Sequence, residues 1–205
     1  MSFKTPLAVI FVLLIFPFTT SIAQSEYLNK NESGYGLMLA TTQADQDAIG
    51  LVLGTSLGRK VDLAIGFSTI VTNDGGGFYF SLGSAFYPLE YLEQEFPVSL
   101  GITFGFSRYL SKGGRSIHYF GIKGYKQFIL GPIVTLVPVV DIEKNYIQDG
   151  GSLTTVAYGF SLGFNTKRAD RIVRGNRTTI ALEAATSKVE NQRAYFIGVG
   201  FIVKK

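Results

Sequence analysis

The chain holds a single histidine, His118, and no cysteine. Ser116 and Tyr119 are its nearest polar neighbours in sequence. A hydrolase built on His118 would need the imidazole to take a proton from such a hydroxyl while a carboxylate fixed its ring. No Asp or Glu can be assigned to that third role from the spacing, so His118 reads as an interfacial or loop-end histidine and no catalytic set is expected. One histidine without cysteine also supplies too few ligands for a zinc site of the usual kind. No metal and no cofactor are expected.

Asp62, Lys123, Asp141, Glu143 and Glu183 share a different oddity: each falls on the same parity as nearby glycines, serines and alanines. What that means depends on the elements that carry them. From Val98 to Phe106, large apolar residues alternate with Ser, Gly and Thr, and the same alternation recurs after Gly34. Leu63, Ile65 and Phe67 alternate with Asp62, Ala64, Gly66 and Ser68, and Val156, Tyr158, Phe160 and Leu162 with Ala157, Gly159 and Ser161. Period-two alternation is the signature of strands. A soluble sandwich would carry Lys, Glu, Asp and Arg on the face opposite its bulky one. Here that face is Gly, Ala and Ser, which suits a barrel in lipid with its bulky side chains outward and a small or polar lumen.

The five charges are therefore expected to line the lumen, where a charge must be hydrated or paired. If the turn at Gly131-Pro132 pairs Leu130 with Val134, antiparallel register sets Lys123 opposite Asp141 on one face. Two roles stay open for the set: a plug whose charges neutralise one another in a filled lumen, or a channel lining whose surplus carboxylates attract cations. The lumen glycines are expected to leave room for water. Tyr35, Phe78, Tyr109, Tyr146 and Tyr195, near strand ends, are expected to form interfacial aromatic girdles. Lys167, Arg168, Arg171, Arg174 and Arg177 gather at one turn and read as a solvated or headgroup-contacting loop.

Turn signals divide residues 34–205 into about ten strand candidates, each near the length a tilted transmembrane strand needs. The expected fold is all-β, a closed antiparallel up-and-down barrel of about ten strands, with eight as the alternative. An even number puts both termini on one side, the periplasm for this architecture. The outer loops are then 43–47, 72–77, 111–116, 147–152 and 189–193, all short, and offer little surface to a large partner. Ahead of the barrel, Lys4, the apolar run Leu7 to Phe18 and Ser21-Ile22-Ala23 read as a signal peptide over 1–23. Residues 24–33 follow as an N-terminal periplasmic segment.

Composition agrees with one exported membrane domain: 24 glycines and 14% aromatics beside only 17% charged residues fit alternating aromatic and glycine positions better than a hydrated globule. The net charge of +4 is too small to argue for nucleic acid. With those features in place, the chain resembles the small outer-membrane β-barrels of Gram-negative bacteria, the OmpA-like, OmpX-like and porin-like group. Lys60-Val61-Asp62-Leu63-Ala64-Ile65-Gly66 is similar to their aspartate-containing strand entry, and Phe86-Tyr87-Pro88-Leu89 to their aromatic-proline strand end. The final strand departs from the pattern, since Ile202-Val203-Lys204-Lys205 follows Phe201 where the family ends on an aromatic residue. The resemblance implies residence in the bacterial outer membrane, contact with its lipid and lipopolysaccharide, and handling by the outer-membrane assembly machinery. It implies a non-enzymatic protein, either a narrow passive pore or a structural membrane protein. Two alternatives stay open: a lipid-modifying hydrolase using His118, and a secreted soluble barrel that holds a small ligand.

Overall fold

The computed structural model describes residues 27–28, 32–44, 47–71, 77–89, 98–110, 114–131, 133–148, 150–166, 177–190 and 192–204. The signal-peptide reading of 1–23 and the basic residues 167–174 lie outside them, as does the side chain of Arg177. The described strands are β1 (Gly34–Gln43), β2 (Asp47–Leu57), β3 (Val61–Val71), β4 (Phe78–Leu89), β5 (Ser99–Tyr109), β6 (Ser116–Tyr125), β7 (Phe128–Ile129), β8 (Val134–Ile147), β9 (Ser152–Thr166), β10 (Arg177–Val189) and β11 (Gln192–Lys204). The two-residue β7 pairs with β8 beyond the end of β6, so it prolongs the β6 wall. The barrel proper has ten strands, not eight.

Every neighbouring pair is antiparallel, the pairs follow chain order with β8 beside β6, and β1 with β11 closes the circuit. β1 meets β11 from Gly34 opposite Lys204 to Gln43 opposite Tyr195. β6 meets β8 from Ile117 opposite Ile147 to Tyr125 opposite Val139. Closure matters because an unpaired backbone N–H or C=O in hydrocarbon costs several kcal/mol, and a closed ladder leaves no strand edge to lipid. Among the described residues no helix is long and apolar enough to cross a membrane.

The turns are set by local chemistry. Gly58 and Arg59 both have positive φ (59° and 62°), and Lys60 N–H donates to Leu57 C=O at 3.0 Å. The two left-handed central residues are those of a primed turn, which matches the twist of paired strands, and Leu57 pairs with Val61 across it. Near the end of β4, Pro88 has no N–H to give the ladder, and the register against β5 shifts between Phe86 and Leu89. The connections at the end away from the termini are short, none longer than the stretch from Val71 to Phe78 or from Tyr109 to Ser116.

Alternation sorts the side chains. Leu63, Ile65 and Phe67 are exposed, as are Phe104, Phe120, Ile122, Tyr158, Phe160 and Ile197. Asp62, Ala64, Ser68, Thr103, Lys123 and Ala157 face inward and are buried. The bulky rows point away from the barrel axis and the small residues toward it. A soluble ligand-binding barrel has the reverse arrangement, so that alternative falls.

Candidate functional site: the occluded lumen

The lumen contains three layers along its axis. At the end away from the termini, Ala48, Ile70, Tyr79, Ile117, Val189 and Ala194 form a buried apolar cluster, with Ala44, Tyr109, Ile147 and Leu153 against it. At the end near the termini, Tyr27, Ala85, Tyr87, Tyr125, Val137, Ala181 and Ile202 form a second cluster. Between them, Met38, Ala40, Val52, Ala64 and Phe196 pack together.

Glycine is what lets the rings lie inside so narrow a barrel. A Cβ on Gly101 would lie 2.5 Å from Cδ1 of Tyr87, and one on Gly163 2.7 Å from Cδ1 of Tyr27. Tyr119 lies across Gly105 in the same manner. Each ring occupies the space that its neighbour's missing side chain leaves. The expectation that the lumen glycines chiefly make room for water is corrected accordingly: at these positions they seat tyrosines. In the 24–33 segment, Tyr27 and Leu28 are fully buried. The Tyr27 hydroxyl meets the Ser161 hydroxyl, so this part of the segment occupies the near mouth.

The structure places Asp62, Lys123, Asp141, Glu143 and Glu183 all inside the barrel, each at most 5% exposed. Lys123 stands directly opposite Asp141 across β6 and β8, and the turn hydrogen bond from Leu130 N–H to Val134 C=O (3.0 Å) fixes that register. Glu143 lies two residues further along β8 on the same face, opposite Gly121. A Cβ on Gly121 would sit 2.7 Å from Glu143 Cγ. The glycine therefore lets the carboxylate lie across β6 toward β5, where the Thr103 hydroxyl donates to Oε1 at 3.5 Å. Asn145 Nδ2 donates to Thr155 Oγ1 at 2.9 Å on the same side. Side chains of β5, β6, β8 and β9 thus form a polar wall here, while Met38, Ala40, Val52, Ala64 and Phe196 of β1, β2, β3 and β11 pack in an apolar cluster.

Glu183 and Asp62 lie on β10 and β3. The Ser161 hydroxyl donates to Glu183 Oε1 at 3.2 Å. Both carboxylates line a void of about 20 Å³ with Gly36, Met38, Ala181 and Gly200, room for little more than one water molecule. Among the described residues the hydroxyls of Ser68, Ser81, Ser107 and Ser187 are buried with no hydrogen-bond partner. Groups of this kind take ordered water, while apolar clusters lie toward both ends of the lumen. Among the described residues no group of His, Asp or Glu is arranged to hold a metal ion.

Of the expected girdle, Tyr35, Phe78, Tyr146 and Tyr195 are exposed on the outer face near strand ends. Tyr109 is not part of it. It has the parity of Ser107, which is buried, and its ring stacks on Tyr79 in the far plug. Sequence reasoning also missed Tyr79, Tyr87, Tyr119 and Tyr125 as the rings that fill the lumen. Their signal is an aromatic residue opposite or diagonal to a glycine, which becomes visible only once strands are aligned. His118 points outward, beside Phe106 at a centroid distance of 5.3 Å, and its register partners are Phe106 and Tyr146. Tyr119 lies on the opposite face, buried. No nucleophile–base–carboxylate arrangement forms around His118 among the described residues.

No family model matches the chain, and no curated protein matches it by sequence. Solved structures match at low identity. The β domain of the Bordetella autotransporter BrkA is 12% identical, with a TM-score of 0.48 over 85% of this chain and 99% of that one. A KdgM porin structure, solved in complex with disordered oligogalacturonate, is 8% identical, with a TM-score of 0.47 over 81% and 98%. Ail of Yersinia pestis is 15% identical, with a TM-score of 0.39 over 86% and 100%.

Proposed function

We propose that this protein is a structural, non-conducting β-barrel of the bacterial outer membrane, with no enzymatic role. The observation that carries this reading is the pair of apolar clusters around Tyr79 and Tyr109 at one mouth and Tyr27 and Tyr87 at the other. A passive pore needs a continuous hydrated path, and a ten-strand lumen is little wider than the eight-strand barrels that side chains fill completely. The exposed Leu, Ile and Phe rows favour hydrocarbon contact all round the wall, and the strand lengths suit a bilayer crossing. Export to the outer membrane, with both termini on the periplasmic side, accords with the leader-like first residues and the even strand number.

Reconstitution in planar bilayers tests the proposal. The intact protein is expected to give no conductance steps, and recovery from cells is expected in the detergent-extractable membrane fraction. Steady single-channel steps overturn the sealed-lumen reading. The polar wall of Thr103, Lys123, Asp141 and Glu143 favours a second reading, a narrow cation pore opened by displacement of the plugs. Under that reading the steps would be cation-selective, and Asp62→Ala with Glu183→Ala would weaken the selectivity.

A further inference from the structure

On the outer face of β10 and β11, at the rim away from the termini, Lys188 and Arg193 stand directly opposite one another across the hairpin. Both are exposed. Side chains so placed have Cβ atoms roughly 4.5–5.5 Å apart, and two like charges there repel. Among the described residues neither cation has a carboxylate partner. An anion shared by the two charges would relieve that repulsion.

Directly below the pair, toward the middle of the wall, the outward positions of β10 are Thr186 and Ala184, both small. Thr186 faces Tyr195 on β11 and Tyr158 on β9, while Ala184 faces Ile197 and Phe160. Those four flanking side chains are each at least half exposed, so they stand out as two walls above a low floor. The Thr186 hydroxyl donates to Ala194 C=O at 3.1 Å. With that hydroxyl turned to the backbone, the floor presents its methyl groups. A slot with a dicationic head and an apolar trough has the chemistry of one ligand class, an acyl lipid that carries phosphate.

We propose that this slot binds a phosphorylated acyl lipid of the leaflet at that rim, its phosphate held between Lys188 and Arg193 and one acyl chain lying over Thr186 and Ala184. The inference rests on the membrane embedding proposed above, which cell fractionation of the unaltered protein tests separately. It does not depend on whether the lumen conducts.

The experiment uses the full barrel in nanodiscs of phosphatidylcholine, with and without added lipid A, and follows the thermal unfolding midpoint. Lipid A is expected to raise the midpoint of the unaltered protein. Lys188→Gln with Arg193→Gln should weaken the apparent lipid A affinity at least about tenfold, since charge-assisted bonds are lost. Ala184→Leu should reduce the lipid A response with the cations intact. Lys188→Glu gives the most diagnostic pattern. It replaces repulsion by an ion pair opposite Arg193, so the midpoint should rise in phosphatidylcholine alone while the lipid A response disappears. An undiminished lipid A response in the double Gln variant or in Ala184→Leu overturns the proposal. So does an equal response to inorganic phosphate in lipid A-free discs, which would mark a site for free anions.

Discussion

Tyr79 and Tyr109 face one another across β4 and β5, and their rings stack with centroids 4.7 Å apart and planes 30° apart. This stack forms much of the seal at the mouth away from the termini, and Gly77 beneath it is required: a Cβ there would fall within the Tyr109 ring's contact distance, 2.6 Å from Cζ.

Removing one seal should not open the barrel. The Tyr79→Ala, Tyr109→Ala variant is expected to lose several kcal/mol of stability through the cavity it leaves, yet to stay silent in planar bilayers, because the cluster of Tyr27 and Tyr87 still closes the other mouth. Conductance steps should appear only when Tyr27→Ala and Tyr87→Ala are added. Current through the first variant alone would show that the near-mouth cluster is no barrier.

The ring-on-glycine packing predicts a position-dependent cost. Gly101→Val should destabilise the barrel by about 1–3 kcal/mol through overpacking, since the new side chain must displace Tyr87. Gly124→Ala should be nearly neutral, because its Cβ meets nothing closer than Leu100 Cδ2 at 3.2 Å and that side chain can give way. Urea unfolding in detergent, followed by loss of β-sheet circular dichroism, compares the two. Equal costs would contradict the packing argument.

Lys123 faces Asp141 on the polar wall and is almost wholly buried. Lys123→Met should therefore cost about 3–5 kcal/mol, the usual penalty for leaving one partner of a buried pair. The double variant Lys123→Met, Asp141→Leu should recover a large part of that loss. A double-mutant cycle by the same urea titration reads the coupling, and a coupling near zero would mean the two do not interact.

The orientation of the bulky rows is tested by charge. Phe160→Arg, on the outer face in the middle of β9, should cost about 2–4 kcal/mol in a bilayer, and Ser152→Arg at the rim about 0–1 kcal/mol. Folding yield into vesicles over a denaturant series measures both. A barrel with a solvated exterior would tolerate the two equally.

Much of the architecture is written locally. Along β3, every second residue is small while Leu63, Ile65 and Phe67 are large, so one stretch of sequence fixes the inward face. The Gly131-Pro132 turn then brings Lys123 opposite Asp141, because a short antiparallel connection leaves the register little freedom. The tyrosine seals are not written that way. Phe78-Tyr79-Phe80 is aromatic at both parities, and Tyr109, near the end of its strand, can be assigned to a girdle as readily as to the interior. What decides Tyr87 and Tyr119 is a glycine on the adjacent strand, Gly101 and Gly105 respectively, and no single stretch contains both halves of such a contact. The void that Asp62 and Glu183 share, from β3 and β10, is likewise a property of the closed circuit, visible only after ten strands are in register.

The brevity of the connections beyond β1, β3, β5, β8 and β10 has a consequence for how this protein meets other molecules. Set in a bilayer as proposed, a wall with such short connections would present little to the medium on that side, and partners would meet it chiefly by sideways diffusion within the membrane plane.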